Sequence, residues 1–532
     1  MTDIEEIGKT SAKGGVNLFL GETLSRVMSA IGTMLVARLL GPSTFGLVSI
    51  VLTFPLTITT FADLGINLAI TRYIAKYRAE GKSYETKNVL ITGIFIELIV
   101  STILSIITFF SAGFIANELF HRPSIEYMIK IASITIFGWA LINISLSAFI
   151  GFDKMGINSI IKILNNSIKT ILQISLVLLG FGLLGAVIGQ TLALLIGGII
   201  GISLVFVLLY RSLKSGSESL NLSGTLKTLL MYSLPLFFTT LLTAVMSQFT
   251  DIMTAIYCND LVIGNFKAAS SFKIFTFFMI PLSTVLLPAF SKIGQSEMSS
   301  LQTMFRLAHK YTALIVVPVS MAVIALSTPL ASSIYGVEYE QTSLFLSLIG
   351  LGYLSSGLGT IVIVSFIHGQ GVTRVSAKFT LAILVVNIPL GLLLIPRFGI
   401  FGVIALTLTA QTQYLLMGLW WIKKTYGIFV EWDSPLRICI ASGLTAVITY
   451  ISLSNFPFNN WILLMLGGGI FIVTILFLMP LIGAINRKDL KNLKQMLGGI
   501  VFLSVPLNLF LGILERIISV QEALVMQLTS MR

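Results

Sequence analysis

Long apolar runs dominate this chain, and each is about as long as a helix that crosses a lipid bilayer. The first extends from 16 to 40 and ends at Gly41 and Pro42, where glycine is permissive and proline lacks a backbone N–H. A second extends from 47 to 71 and leads into a cluster of Lys and Arg residues. Because about 20 apolar residues span a bilayer core, these two runs predict a transmembrane hairpin. Similar runs continue to residue 485, and together they predict an all-α polytopic membrane protein with about 14 transmembrane helices.

The charges are few and unevenly distributed. Only 11% of the 532 residues are charged, against about 25% in soluble domains. With the amino terminus in the cytoplasm, 26 of the 34 Lys and Arg residues fall on the inner side, and only Arg38, Arg122, Lys130 and Arg397 lie at outer ends. This bias predicts a multi-pass protein of the cell membrane with both termini cytoplasmic. Because topology accounts for the net charge of +12, no nucleic-acid partner is expected.

An internal repeat divides the chain. Val27-Met28-Ser29 recurs at 245–247 and Gly46 recurs as Gly264, both with a shift of 218, while 182–193 resembles 399–410 with a shift of 217. Six spans repeated once predict two parallel six-helix lobes related by an axis along the membrane normal, with the substrate site between them. The predicted parts are a cytoplasmic amino terminus (1–15), an N-lobe (16–210), a cytoplasmic connector (211–228), a C-lobe (229–422), two extra helices (436–485) and a cytoplasmic or interfacial tail (487–532).

The first hairpin also carries a family resemblance. Residues 41–46 read GPSTFG and residues 64–75 read LGINLAITRYIA, which resemble the motifs G-P-x-x-F/Y-G and L-G-x-x-x-A-x-T-R-Y/F-I/V-A. These motifs are similar to those of polysaccharide exporters in the multidrug/oligosaccharidyl-lipid/polysaccharide superfamily, which includes Wzx-type and MurJ-type flippases. Further landmarks at 263–269, 288–292, 334–339 and 396–403 extend the resemblance over most of the chain. The resemblance implies a MATE-like or MurJ-like fold and a lipid-linked glycan substrate.

No motif indicates catalysis. His121, His309 and His368 lie far apart, and the sequence contains no HExxH motif and no Walker loop. Cys258 and Cys439 show no metal-binding spacing and cannot form a disulfide framework. We therefore expect no enzyme activity, no cofactor and no metal site.

Charged residues inside the predicted spans point to the functional site. Each would cost roughly 2.5–3.5 kcal/mol if it faced lipid, so each needs water or a partner. These residues are Glu22, Arg26, Asp63, Glu97, Lys169, Asp251, Lys267 and Lys273. Glu22 and Arg26 are four residues apart and can pair on one helical face. Lys267 lies near an outer end, where snorkelling to the interface is the favoured interpretation.

The fifth predicted span has a polar stripe. Lys162, Asn166, Lys169 and Gln173 recur at helical spacing on one face, which indicates the lining of a hydrated cavity, interhelical hydrogen bonding or a span whose boundary lies elsewhere. A similar stripe on the seventh span contains Thr243, Ser247, Asp251 and Thr254. We predict that the fifth-span stripe contributes to substrate binding, with Arg26, Lys169 and Lys273 as the cations that meet an anionic head group.

The in-span carboxylates suggest ion coupling. Glu22, Glu97 or Asp251 can bind a proton or a sodium ion, although each can equally be the partner of an in-span cation. The leading hypothesis is a flippase that moves isoprenoid phosphate- or diphosphate-linked oligosaccharides across the membrane by alternating access. The alternative is a cation-coupled exporter of drugs or small metabolites with the same fold. Excess carboxylates would favour that exporter, whereas the fifth span is basic.

Overall fold

A computed structural model describes residues 2–213, 221–272, 280–293, 297–454 and 456–490, together with the isolated positions Asn492, Gly512, Glu515, Arg516 and Ser519. Side chains are described from residue 21 onward, except those of 236, 239, 243 and 280–285. Every regular element in the described ranges is helical. The α-helices are α1 (Thr2–Ala62), α2 (Ile66–Ala79), α3 (Ser83–Phe114), α4 (Glu126–Gly151), α5 (Met155–Leu176), α6 (Gly182–Leu208), α7 (Leu222–Tyr257), α8 (Asp260–Ser271), α9 (Ile280–Lys292), α10 (Met298–Ala325), α11 (Ser327–Tyr335), α12 (Thr342–Ser355), α13 (Ile361–Gly369), α14 (Thr373–Phe398), α15 (Ile400–Tyr426), α16 (Asp433–Ser454) and α17 (Asn460–Leu481).

The helices confirm a polytopic membrane protein. In the described ranges, ten helical segments are long and apolar enough to cross a membrane, and a bent pair within α7 raises the number to eleven. Two of the ten, Gly21–Ala62 and Met155–Ser212, are 42 and 58 residues long, well beyond the roughly 20 residues that one crossing needs. Backbone breaks at Gly41 and at Gly180 interrupt them. The count of 14 crossings stays a prediction.

The first predicted hairpin contains two breaks. At Gly41 the backbone turns to φ 73° and ψ 165°, a conformation that glycine adopts without a Cβ clash, and Pro42 starts the following helical segment. The predicted continuous span 47–71 is wrong in one respect, because the helix ends at Ala62 and α2 begins at Ile66. Leu64 and Gly65 have φ angles of 46° and 72°, which no α-helix accommodates. Asp63 therefore lies at a helix break.

The described residues form two compact units by their contacts. The first comprises residues 1–274 with 380–403, and the second comprises 275–379 with 404–532. In the first unit, Ile66, Ile70 and Ile74 of α2 are fully buried against α3 and α4. In the second, the rings of Phe290 and Phe305 pack around Phe366 with centroid distances of 5.3 and 5.6 Å. The predicted lobes follow the sequence repeat, and their boundaries stay a prediction.

Several predicted features lie partly or wholly outside the described residues. The eighth predicted span corresponds to α8 and α9, but residues 273–279 between them, including Lys273, lie outside the described residues. Most of the predicted tail also lies outside them. Its beginning packs against α10, where Lys310 Nζ pairs with Asp489 Oδ2 at 2.8 Å and Asn492 Nδ2 donates to the Tyr311 hydroxyl at 2.8 Å.

Candidate functional site

Helices α1 and α5 pack side by side in the first unit. A side chain at Gly21 would collide with Ser159, and one at Gly32 would collide with Thr170, so the small residues permit close helix approach. Both sequence positions increase together along the contact, so the two helices run parallel. This arrangement brings the predicted charges of α1 beside the polar stripe of α5. We call the set Glu22, Arg26, Lys162, Asn166 and Lys169 the α1–α5 seam.

The predicted Glu22–Arg26 pair is confirmed, and a third charge joins it. Arg26 Nε lies 3.0 Å from Glu22 Oε1, and Lys162 Nζ lies 2.6 Å from Glu22 Oε2. One carboxylate therefore serves two cations. The Arg26 side chain is 58% exposed, and among the described residues no group hydrogen-bonds its Nη1 or Nη2. The guanidinium thus presents two free N–H-bearing nitrogens beside a local excess of positive charge.

Two other members of the predicted stripe hydrogen-bond to neighbouring helices. Asn166 Nδ2 donates to Ser25 Oγ at 2.6 Å on α1, and Gln173 Nε2 donates to the Ala186 carbonyl at 3.0 Å on α6. These contacts match the interhelical alternative for the stripe. A role for Asn166 or Gln173 in substrate binding stays a prediction.

Lys169 differs from the rest of the stripe. It is partly exposed, and no described residue forms a hydrogen bond or ion pair with its ammonium group. It lies seven residues after Lys162, two turns or about 10.5 Å along α5. The seam therefore carries three cations, Arg26, Lys162 and Lys169, against the single carboxylate of Glu22. Lys273, the third predicted head-group cation, lies outside the described residues.

Asp251 of the second polar stripe pairs with a cation of the following helix. Lys267 Nζ of α8 lies 2.8 Å from Asp251 Oδ1 of α7, so these two predicted in-span charges neutralise each other. Lys267 therefore forms an ion pair, whereas the sequence analysis favoured its snorkelling to the membrane interface. Thr254 is buried and donates to the Thr250 carbonyl at 2.6 Å. Coupling through Asp251 stays a prediction, as does coupling through Glu22, which already binds two cations.

Glu97 lies in a different place, near the middle of α3. Its side chain is fully buried, with 0% exposure. Asn67 Nδ2 of α2 donates to Glu97 Oε1 at 2.8 Å and to Asp63 Oδ1 at 2.6 Å. One amide therefore bridges two carboxyl groups. Sequence reasoning missed Asn67, because it occupies a variable position of the family motif and carries no charge.

Arg122 is another residue whose role the sequence did not reveal. Its Nε lies 2.6 Å from Asp260 Oδ1, while its Nη1 donates to the Phe120 and Ala255 carbonyls at 2.8 and 2.7 Å. Its Nη2 donates to the Cys258 carbonyl at 2.7 Å. Arg122 thereby joins the α3–α4 connection to the α7–α8 connection. Sequence analysis identified it only as a cation at an outer end.

Repeat-related glycines meet beside this contact. A side chain at Gly46 would strike the carbonyl of Asp260, and one at Gly264 would strike the carbonyl of Pro42. These four residues form two pairs with the same shift of 218. In the sequence, the only sign of this contact is that Gly46 and Gly264 occupy equivalent positions of the internal repeat.

Metal-binding groups and cavities were the remaining candidates for a site. Within the described residues, no group of three or more His, Cys, Asp or Glu side chains could hold a metal ion. Two cavities of about 370 and 330 Å³ open near the start of α3. The first is lined by Tyr77, Tyr84, Glu85, Asn88, Val89, Asn221, Gly224, Thr225, Thr228 and Leu229, and the second by Arg78, Gly81, Ser83, Thr86, Phe152, Lys154, Ser212 and Leu213. Neither cavity contains a residue of the α1–α5 seam.

Comparisons with known proteins match both halves of the chain. A family model described as polysaccharide biosynthesis protein matches residues 11–294, and one described as lipid II flippase MurJ matches 274–467. An uncharacterized membrane protein of Methanocaldococcus jannaschii is 24% identical over 77% of this chain and 98% of its own length.

Solved structures show the same fold. The chain resembles the lipid II flippase MurJ in an inward closed conformation, with a TM-score of 0.72, 19% identity, and coverage of 88% of this chain and 98% of that one. It also resembles an inward-facing multidrug resistance MATE transporter, with a TM-score of 0.62, 16% identity, and coverage of 76% and 94%.

Proposed function

Because the chain belongs to the polysaccharide biosynthesis protein family, we propose that it is a flippase for lipid-linked glycan precursors. Its substrate is an oligosaccharide attached to an isoprenoid phosphate or diphosphate, which it moves between the leaflets of the cell membrane. Alternating access of the two predicted lobes carries the substrate, and both termini lie in the cytoplasm. The activity makes and breaks no covalent bond.

The excess positive charge of the α1–α5 seam is the observation that carries this proposal. A charged group that faces lipid costs roughly 2.5–3.5 kcal/mol, so the unpaired Lys169 ammonium needs water or an anion. A phosphate or diphosphate head group supplies negative charge and several acceptor oxygens. The basic seam is complementary to such a head group and would repel a cationic drug.

The nitrogen atoms of the seam that have no partner among the described residues are suitable donors to a phosphate. Arg26 uses Nε for Glu22, which leaves Nη1 and Nη2 to donate to a phosphate. Lys162 is held on Glu22 and contributes mainly to the local field. Lys169 can donate to the same head group from two turns further along α5 than Lys162. Glu22 positions both Arg26 and Lys162.

A flipping assay in proteoliposomes tests the proposal. The probe is a fluorescent disaccharide on a short isoprenyl diphosphate, and flipping is the fraction of probe that becomes protected from a membrane-impermeant reductant. Lys169→Ala should lower the rate at least about tenfold, since a hydrogen bond to a charged group contributes roughly 1.5–3 kcal/mol. Lys169→Arg should retain part of the rate, because charge is kept while geometry changes.

The matched control is Lys76→Ala, which removes an exposed lysine of α2 that faces Glu80 at 3.9 Å. This variant should flip the probe at the wild-type rate. A Lys169→Ala protein that also flips at that rate would remove Lys169 from the site. Wild-type protein that ignores the probe but expels a cationic dye would instead favour the drug-exporter alternative.

A further inference from the structure

The carboxyl groups of Asp63 and Glu97 lie close together around one amide. Both accept hydrogen bonds from the same nitrogen, Asn67 Nδ2, at 2.6 and 2.8 Å. Glu97 lies 14 residues after the first residue of α3, about 21 Å along a helix that is about 48 Å long. The cluster is therefore deep in the helical bundle and away from either end of α3.

Two buried oxygen atoms of this cluster have no partner. Among the described residues, neither Glu97 Oε2 nor Asn67 Oδ1 accepts or donates a hydrogen bond. Glu97 is fully buried, whereas Asp63 is partly exposed and also accepts the Asn67 backbone N–H at 3.3 Å. A fully buried carboxyl oxygen that receives no hydrogen bond is an unfavourable place for negative charge. Asp63 is the better place for a negative charge, because it has two donors and access to solvent.

No described cation neutralises the cluster. On the helices that pack against α3, the charged groups have other partners or lie exposed near helix ends. These are Glu22 with Arg26 and Lys162, Arg38, Arg72 over the Tyr232 ring, Lys76 with Glu80, Arg78 with Asp153, Glu126 with Lys130, Lys227, and Asp251 with Lys267. Within α3, Glu85 and Lys87 lie in the first turns, and Glu118, in the turn that follows α3, is exposed. In the described residues none of these groups forms an ion pair with Asp63 or Glu97.

Ionising both Asp63 and Glu97 in this cluster would carry a large free-energy cost. Each buried charge costs several kcal/mol without a partner, and like charges around one amide repel each other. A metal cation between the carboxyls is disfavoured, because the Asn67 nitrogen with its positive N–H edge already occupies that position. A proton removes one charge at the lowest cost, since a neutral carboxylic acid with an unpaired hydroxyl costs less than an unpaired anion.

We propose that Asp63, Asn67 and Glu97 form a proton-binding site in which Glu97 holds one exchangeable proton and Asp63 holds one negative charge. The chemical change is the transfer of one proton: an O–H bond of hydronium breaks as an O–H bond forms on Glu97, and in the reverse step the Glu97 O–H bond breaks and the proton returns to water past the partly exposed Asp63. The site gives the protein a group whose occupancy follows the pH on the side to which Asp63 is open. The inference is independent of the proposed glycan substrate.

Infrared spectroscopy of the purified protein tests the site directly. The carbonyl stretch of a buried, protonated carboxylic acid should be visible at neutral pH in the wild type, shift in deuterium oxide, and disappear in Glu97→Gln. Glu80→Gln, which removes an exposed carboxyl of the α2–α3 turn, should leave the band unchanged. A band of equal strength in wild type and Glu97→Gln would overturn the proposal. So would loss of the band on adding sodium at constant pH, which would identify a cation site.

The pH dependence of thermal stability is a second test. It compares slopes and not absolute stabilities, so a variant that is less stable overall still gives an answer. While Glu97 is protonated in the folded state and ionised in the unfolded state, the folding equilibrium constant falls about tenfold for each unit of rising pH. The wild type and Glu80→Gln should therefore lose thermal stability as the pH rises, and Glu97→Gln and Asp63→Asn should lose much less. Equal pH slopes in all four proteins would refute the site. Neither measurement uses a glycan, so failure here leaves the flippase proposal intact, and failure of flipping leaves this site intact.

Discussion

Arg122 offers a sharp test of how the α3–α4 and α7–α8 connections are held together. Its side chain is 15% exposed and that of Asp260 is 29% exposed, so their ion pair is largely removed from water. Arg122→Gln deletes this charge-assisted pair and leaves the Ala255 and Cys258 carbonyls at the end of α7 without their donor. A hydrogen bond to a charged group contributes roughly 1.5–3 kcal/mol, and removing one partner of a fully buried pair costs roughly 3–5 kcal/mol.

Because Asp260 keeps some contact with solvent, we expect a loss of about 2–3 kcal/mol, toward the lower of these ranges. At 1.4 kcal/mol for each factor of ten, the equilibrium between joined and separated connections should shift about 30- to 140-fold. Cys258 reports this shift, since it is 7% exposed and its own carbonyl belongs to the contact. Separation of the connections should expose its thiol.

The assay is the rate at which a membrane-impermeant maleimide alkylates Cys258 in a Cys439→Ser background. Burial raises the pKa of the Cys258 thiol to about 11, so alkylation of the joined state is slow at neutral pH. The positive charge of Arg122 partly opposes that shift in pKa. Losing Arg122 without separation would therefore raise the pKa of the thiol further and slow the reaction.

The two effects have opposite signs, which makes the result decisive. An Arg122→Gln protein that reacts faster by tens of fold supports the contact, and one that reacts at the same rate or more slowly refutes it. Lys130→Gln is the matched control at the same predicted end of the bundle, because its pair with Glu126 at 2.6 Å stays within α4. This control should alkylate at the wild-type rate.

Two further predictions concern the first hairpin. Gly46→Leu should lower the yield of folded, monodisperse protein several-fold in size-exclusion chromatography, because the new side chain meets a backbone carbonyl that cannot move aside, whereas Gly468→Leu, where a Cβ meets nothing within 4 Å, should be tolerated; equal yields would contradict the close contact. Cysteine labelling should reach Ser43→Cys from outside the cell, and a cysteine placed within residues 79–87, around the α2–α3 turn, only after permeabilisation. Labelling of Ser43→Cys from the cytoplasmic side alone would invert the topology.

The sequence predicted local breaks and pairs better than it predicted long-range partners. Gly41 and Pro42 interrupt a helix through their own backbone chemistry, so the joint is visible in the residue types alone. Glu22 and Arg26 are neighbours on any helix, so their pair is visible as well. The Leu64–Gly65 break was not predicted, because leucine rarely adopts a positive φ and the residues from 47 to 71 are apolar enough overall to indicate one continuous span.

The polar stripe of α5 shows why the site could be predicted only in part. Helical spacing placed Lys162, Asn166 and Gln173 on one face, but the first two contact α1 and the third contacts α6. Spacing fixes the direction of each Cα–Cβ bond, whereas side-chain length and the neighbouring helices decide which partner is reached. The role of Asn67 could not be predicted for a related reason. A bridging amide can be identified only once the two carboxyl groups that it joins are known to be close in space.

The repeat acquires a physical meaning at the Gly46–Gly264 crossing. Each glycine approaches the carbonyl four residues before the other, Pro42 for one and Asp260 for the other, so exchange of the two repeats leaves the contact unchanged. A contact of this kind is isologous, and any side chain added on one side removes the same space on the other. Arg122 lies beside this crossing and has no counterpart in the symmetric contact, because it binds the Asp260 carboxylate, and the equivalent position is a proline without a charge. The glycines therefore permit the close approach of α1 and α8, and we expect the ion pair to stabilise that approach.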